Sequence, residues 1–295
     1  MRSPVLRVRQ TATRPSHRPM IAAWRMSTEE FDAARAHVTI DTDAIESVLP
    51  CLAPGPPNTA WREYVSPVDD AAPDLPRLFY ELALTISQFG GFIERRLDGS
   101  TGIWKLNGSG VKALLATMDM IRRARMLPGI DIRDDYRQHL GCAFMPAPFA
   151  RQRVDMMCEI ATRGGISFFA DHLRSAHRPD GSYRFCVLHL AGLAQRFPLS
   201  FGGDAPFHKK ASLLLLTMEI ALNQLGFCAS ALSLPPADYR IPQILEGLGV
   251  LKFSDGLASK IDAGHLFELN DPEVRAIRAM TVEAVGHIRE RYEAR

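Results

Sequence analysis

Cysteine is scarce in this chain: the five residues Cys51, Cys142, Cys158, Cys186 and Cys228 include no two at CxxC spacing. An odd, scattered set excludes a disulfide framework and a cysteine-built zinc site, and it fits a reduced, cytoplasmic setting with thiols inside the core. No apolar run reaches the roughly 18–20 residues that a membrane span needs, so none is expected. Nine histidines are present, but there is no HExxH and no i, i+4 pair with a third acidic ligand, so no metal site is expected. Also missing are a Walker loop, a Rossmann fingerprint (Gly90-Gly91 and Gly202-Gly203 are too short) and a Gly-x-Ser-x-Gly elbow. Cys186 and His189 stand three apart in an apolar segment, where core packing is favoured over a thiol–imidazole pair.

Acidic residues are absent from the first 27 positions, which carry six arginines among serines and prolines. That composition suits an organelle-targeting segment. It equally suits sequence upstream of a start at Met26-Ser27-Thr28-Glu29-Glu30, and the lack of an amphipathic period favours this second reading. Residues 1–27 are therefore read as an unstructured extension, and 28–295 as a single helical domain. The whole chain of 295 residues is 46% hydrophobic and 23% charged, which is ample for a core and excludes global disorder. A net charge of +2 argues against a broad polyanion-binding surface while leaving room for a small phosphate pocket.

Helices are expected from caps and apolar spacing. Ser27-Thr28-Glu29-Glu30-Phe31 opens one, and Asp41-Thr42-Asp43 opens another that runs to about Leu49. Residues 53–76 read as a long irregular connection, and Leu78–Phe89 as an apolar helix. Phe92–Leu97 and Gly102–Leu106 flank Asp98-Gly99 as a hairpin. Val111–Met126, Ala150–Thr162 and Leu188–Phe197 have helical periods, with a polar stretch and a Pro-punctuated loop over 131–149. Lys209–Leu225 closes at Gly226, Gln243–Leu248 is short, Ser254–Ala263 ends at Gly264, and Asp271-Pro272-Glu273 opens the last helix. The class is mainly α with one small β-hairpin.

The stretch from Ala205 to Leu251 gathers the candidate chemistry. It holds a helix starting with Lys209-Lys210, a carboxylate (Asp238) beside Tyr239 and Arg240 in a proline-bounded turn, and a short helix running into Leu248-Gly249. That last feature has the texture of a helix–hairpin–helix element, whose turn exposes backbone N–H groups to a phosphate.

Phe207-His208-Lys209-Lys210-Ala211, Ala237 to Leu245, Leu248 to Asp255, and Glu273 to Ala279 together resemble the queuosine salvage protein family. Arg196-Phe197-Pro198 fits the same order, and the likeness is specific over about 205–290. Upstream, Gln88-Phe89-Gly90-Gly91-Phe92 stands where the family carries Phe-Trp-Pro-Asp, and the family's aromatic tail has no counterpart before Arg295. The resemblance implies a helix–hairpin–helix DNA glycosylase-like fold. It also implies a queuosine 5′-phosphate N-glycosidase, acting on a small-molecule nucleoside or nucleotide with no stable nucleic-acid partner.

Cleaving an N-glycosidic bond builds positive charge on the sugar, which a carboxylate beneath the anomeric carbon stabilises or captures without metal or organic cofactor. Asp238 is the catalytic candidate. Tyr239 and Arg240 flank it, Lys209 and Lys210 suit a 5′-phosphate, and Phe207, Phe89 and Trp104 complete the substrate-binding candidates, the last two by stacking on the base. On residue type alone, Asp238 reads as a cap for the helix near Pro242, and the resemblance shifts the balance to catalysis. Glu273, Arg275 and Arg278 read as surface ion-pair residues. The rival to the enzyme is a divergent protein of the same fold that binds a modified nucleotide, or a nucleic acid, without cleavage. A DNA-repair glycosylase is disfavoured by the charge balance.

Overall fold

A computed structural model describes residues 27–52, 74–88, 93–95, 101–103, 116–119, 121, 148–231, 234–235, 237, 240–268 and 270–295. The Arg-rich extension, the connection over 53–73, and the candidates Phe89, Trp104, Asp238 and Tyr239 lie outside the described residues.

The first helix, α1 (Thr28–Arg35), opens with the expected reciprocal cap: Ser27 Oγ accepts the Glu30 N–H and Glu30 Oε2 accepts the Ser27 N–H. A three-residue strand, β1 (Val38–Ile40), intervenes before α2 (Thr42–Val48), whose cap is Asp41, accepting from the Asp43 and Ala44 N–H groups. Pro50 then tightens the chain into a 3₁₀ turn, Leu49–Cys51.

Next comes α3 (Leu75–Ser87), capped by Asp74 with Pro76 in its first turn. Every residue of α3 from Leu78 to Ser87 is buried, because neighbours cover it all round. The hairpin is present as β2 (Ile93–Arg95) antiparallel to β3 (Thr101–Ile103). Within the expected helix over 111–126, residues 116–119 and 121 are helical and the rest lie outside the described residues.

Three helices close on α3, α4 (Ala150–Thr162), α5 (Gly165–Ala176) and α7 (Lys209–Gln224), and α6 (Val187–Arg196) packs on α7. Helix α5 has no start signal in the sequence: it begins at Gly165 (φ +48°) behind Gly164 (φ +157°), with no side-chain cap. Its Phe169 ring meets Phe79 of α3 at 5.0 Å between centroids. Helix α7 buries Ala211, Leu214, Leu215, Met218, Ala221 and Leu222, a stripe at three- and four-residue spacing, and it stops at Gly226 (φ +88°). Beside this core, β4 (Tyr183–Phe185) runs parallel to β5 (Ala229–Ala231).

A second core forms around the C-terminal helices. α8 (Arg240–Gly247) turns at Gly249 (φ +73°) into β6 (Leu251–Phe253), followed by α9 (Asp255–Asp262) and α10 (Pro272–Glu293). Strand β6 pairs antiparallel with β1, Ile40 opposite Leu251, which ties the start of the domain to its end. The element expected as helix–hairpin–helix is thus helix, turn, strand, helix. The mainly helical class is observed, but the described residues contain three two-stranded pairs, two more than the single hairpin expected. Strands of three residues are too short for a period to show, and β1 finds its partner more than two hundred positions away.

Phe197 ends α6, and a single π-helical turn, Pro198–Gly202, carries the chain toward α7. The buried Glu159 of α4 holds this turn by accepting the Leu199 N–H (3.2 Å), the Ser200 N–H (2.9 Å) and the Ser200 hydroxyl (2.8 Å). A Cβ on Gly202 would sit 2.7 Å from the Ala194 carbonyl oxygen, so only glycine lets the turn lie on α6. Glu159→Ala strands two backbone N–H donors, since the Ser200 hydroxyl keeps the Met156 carbonyl at 3.0 Å, and is expected to destabilise the protein by about 2–4 kcal/mol. Gly202→Ala is expected to cost about 1–3 kcal/mol. Chemical denaturation measures both.

Candidate active site at the start of helix α7

The loop between the π turn and α7 is shaped by Asp204. Its main-chain oxygen accepts the His208 N–H (2.8 Å) and its Oδ2 accepts the Lys209 N–H (3.1 Å), so a residue five positions upstream caps the helix. His208 itself is left-handed (φ +43°), an uncommon state for a residue with a Cβ.

The Asp204 carboxylate also binds Arg278 of α10. Arg278 Nη1 lies 2.5 Å from Oδ1 and Nη2 lies 2.8 Å from Oδ2, a fork matching two oxygens. The remaining donor, Nε, reaches the carbonyl oxygen of Ala237 at 3.0 Å. The guanidinium carbon stands 4.1 Å from the centre of the Phe207 ring. One buried side chain, 8% exposed, therefore joins three segments: the approach to α7, the peptide at Ala237, and α10.

On the neighbouring side, two cations meet the end of α3. Lys210 Nζ donates to the Ser87 carbonyl (2.7 Å) and touches Met156 Sδ (3.3 Å). The buried Arg153 of α4 donates through Nη1 to the Gln88 carbonyl (2.5 Å) and through Nε to the Pro148 carbonyl (2.8 Å). Both cations satisfy carbonyls that a helix end leaves without partners, and both face its negative pole. Among the described residues no carboxylate pairs with Lys210. Desolvation, followed by the charges of Arg153 and Lys209, pushes its ammonium down to about 8, with Asp204 pulling the other way. Burial likewise lowers Arg153, to about 10.

Three polar atoms in these same segments are buried and unpartnered: Gln88 Oε1, His208 Nδ1 and Ser212 Oγ. Native interiors rarely leave such groups unpaired. Unpaired acceptors beside desolvated positive charge suit an anionic ligand that also carries hydroxyl or N–H donors.

Lys209 and Lys210 lie half-buried at the start of α7. Phe207 is 3% exposed, in the wall between Arg278 and the second core. Arg240 begins α8 and is exposed. Arg278 is the main correction. Glu273 does pair at the surface with Lys260, and Arg275 with Glu30, but Arg278 is buried at the centre of the site. A signal was present: its i±3 and i±4 neighbours are Val274, Arg275, Thr281 and Val282, none an acid with which a surface arginine would pair. Arg153 carries the same mark, with Phe149, Ala150, Met156 and Met157 at those spacings, whereas Asp204 and Gln88 carry none. Cys186 and His189 do touch, the imidazole Nδ1 accepting the Cys186 N–H (2.9 Å) with the thiol at 3.2 Å, and together they cap α6. Among the described residues no group of three or more His, Cys, Asp or Glu is arranged to hold a metal ion, and no helix is long and apolar enough to cross a membrane.

Residues 233–295 match the family model described as queuosine salvage protein, which supports a role in queuosine salvage. No curated protein matches the chain. The matched range contains Asp238, Tyr239, Arg240 and Arg278; the Lys209-Lys210 helix start lies upstream of it and rests on its own geometry.

The lowered Lys210 value sets two pH windows. Its charge is complete below about 8, so affinity for an anion such as inorganic phosphate is expected to fall as pH rises through about 8, well short of the usual lysine value of 10.5. The unfolded chain binds this proton more tightly, so stability is expected to rise between those two values. Lys210→Met should remove both effects, with a melting temperature at pH 7 equal to or above the native one. Phosphate titrations and thermal melts across pH 6–10.5 measure them.

Proposed function

We propose that this protein hydrolyses the N-glycosidic bond of a nucleoside 5′-monophosphate bearing a 7-deazaguanine-type, queuosine-like base, releasing the free base for salvage, within one helical domain over 28–295. The observation that carries the reading is the cationic start of α7. Lys210 has no carboxylate partner among the described residues. Its neighbour Lys209 is joined through its backbone N–H to Asp204, and Asp204 through Arg278 to the Ala237 carbonyl.

In this reading the 5′-phosphate docks on the side chains of Lys209 and Lys210, at the positive end of a sixteen-residue helix. Holding the phosphate fixes the sugar relative to Asp238, whose carboxylate stabilises or captures the cationic anomeric carbon as the base leaves. Water then completes the transfer and gives the free sugar phosphate. Tyr239 and Arg240 flank the carboxylate, and Phe89 and Trp104 supply aromatic faces for the base. The family match over 233–295 supports the base class.

The test is base release from a panel of nucleosides and their 5′-monophosphates, queuosine included. The native protein is expected to favour the monophosphate. Asp238→Ala, still folded, should lose activity by roughly 1,000-fold or more. Lys210→Met should raise KM for the monophosphate by about tenfold to a hundredfold while scarcely affecting the nucleoside. Release that survives Asp238→Ala would move catalysis to another residue. No release from any substrate, with monophosphate binding retained, would point to the non-catalytic binder instead.

A further inference from the structure

We infer that Arg278 is the positioning residue of this site: it holds the Ala237 carbonyl, one position before Asp238 in the chain, in register with the helix start that takes the phosphate. The inference rests on the proposed N-glycosidase reading and extends it to a residue outside the substrate contacts. The peptide group whose oxygen receives the Arg278 Nε–H at 3.0 Å is the one whose nitrogen belongs to Asp238. The two other donating groups of the same guanidinium hold Asp204, and Asp204 caps Lys209. A planar, delocalised fork fixes these acceptors in one plane, and Phe207, beneath the guanidinium at 4.1 Å, fixes that plane in turn. The helix start and the Ala237 peptide thus share one reference.

Two features separate this role from ordinary core bonding. Ala237 is 1% exposed, so its carbonyl has no water to replace Arg278. It precedes α8, and its own N–H donates to the Pro235 carbonyl at 2.7 Å. Arg278 spends its donors on the two chain segments that the proposed reaction must hold in register, although its own helix belongs to neither.

A lysine at 278 keeps the charge opposite Asp204 but lacks the fork, so one ammonium has to choose between Asp204 and Ala237. The experiment follows steady-state base release by the full-length native protein, Arg278→Lys, Arg278→Ala and Asp238→Ala, on the monophosphate that the native protein cleaves fastest. Melting temperatures and added ethylguanidinium accompany each assay. Arg278→Lys is expected to lower kcat by roughly 100-fold with KM changed by less than about threefold, since misplacement of a reacting group acts on the chemical step. Ethylguanidinium, filling the space left in Arg278→Ala, is expected to restore activity at least tenfold, and to do nothing for Asp238→Ala. Native-like kcat in Arg278→Lys overturns the inference and leaves the glycosidase reading intact. Activity loss that follows the loss of folded protein, without rescue, also overturns it, because a purely structural arginine behaves that way. If the native protein releases base from no substrate, the glycosidase reading fails and this inference fails with it.

Discussion

The bond network of Arg278 is the constraint on which the rest of the site depends. A guanidinium removed from water needs acceptors around it, and each of the three nitrogens of this one has a partner, Asp204 for two and Ala237 for the third. Removing either side would strand buried polar groups at a cost of several kcal/mol, so the three segments behave as one body. The first core supplies α7, and the second core supplies Phe207, Ala237 and α10. Their junction is where the loop through Asp204 passes from one to the other.

Lys210 and Arg153 show how one arrangement can serve both folding and binding. Each closes a carbonyl at the end of α3, a bond that stabilises the helix whatever else occurs. Satisfying those carbonyls brings two cations close together out of water, and the strain appears as lowered proton affinities rather than as a displaced side chain. Gln88 Oε1, His208 Nδ1 and Ser212 Oγ are buried in the same segments without hydrogen-bond partners.

Local chemistry made much of the fold legible. The Ser27–Glu30 and Asp41 caps, the span of α4, the Gly226 and Gly264 stops and the proline start of α10 follow from residue types within one turn of chain. Helix α5 did not, because a glycine start carries no cap signal, and strands β1, β4, β5 and β6 did not, because three residues show no period. At the site, the lysine pair was visible as a motif at a helix start, while Asp204 and Gln88 look in sequence like any loop carboxylate or amide.

The sequence by itself determined the mainly helical class, the helix boundaries set by caps, the candidate pair Lys209 and Lys210, and the resemblance of its C-terminal third to queuosine salvage proteins, which the match over 233–295 bears out. Tertiary structure alone decided that Arg278 leaves the surface, that Asp204 caps a helix five residues on, and that Lys210 meets the end of α3 across 123 positions. The physical reason is range: caps, turns and periods act over a few residues, whereas the partner of a buried charge is whichever group the packed cores bring within hydrogen-bonding distance.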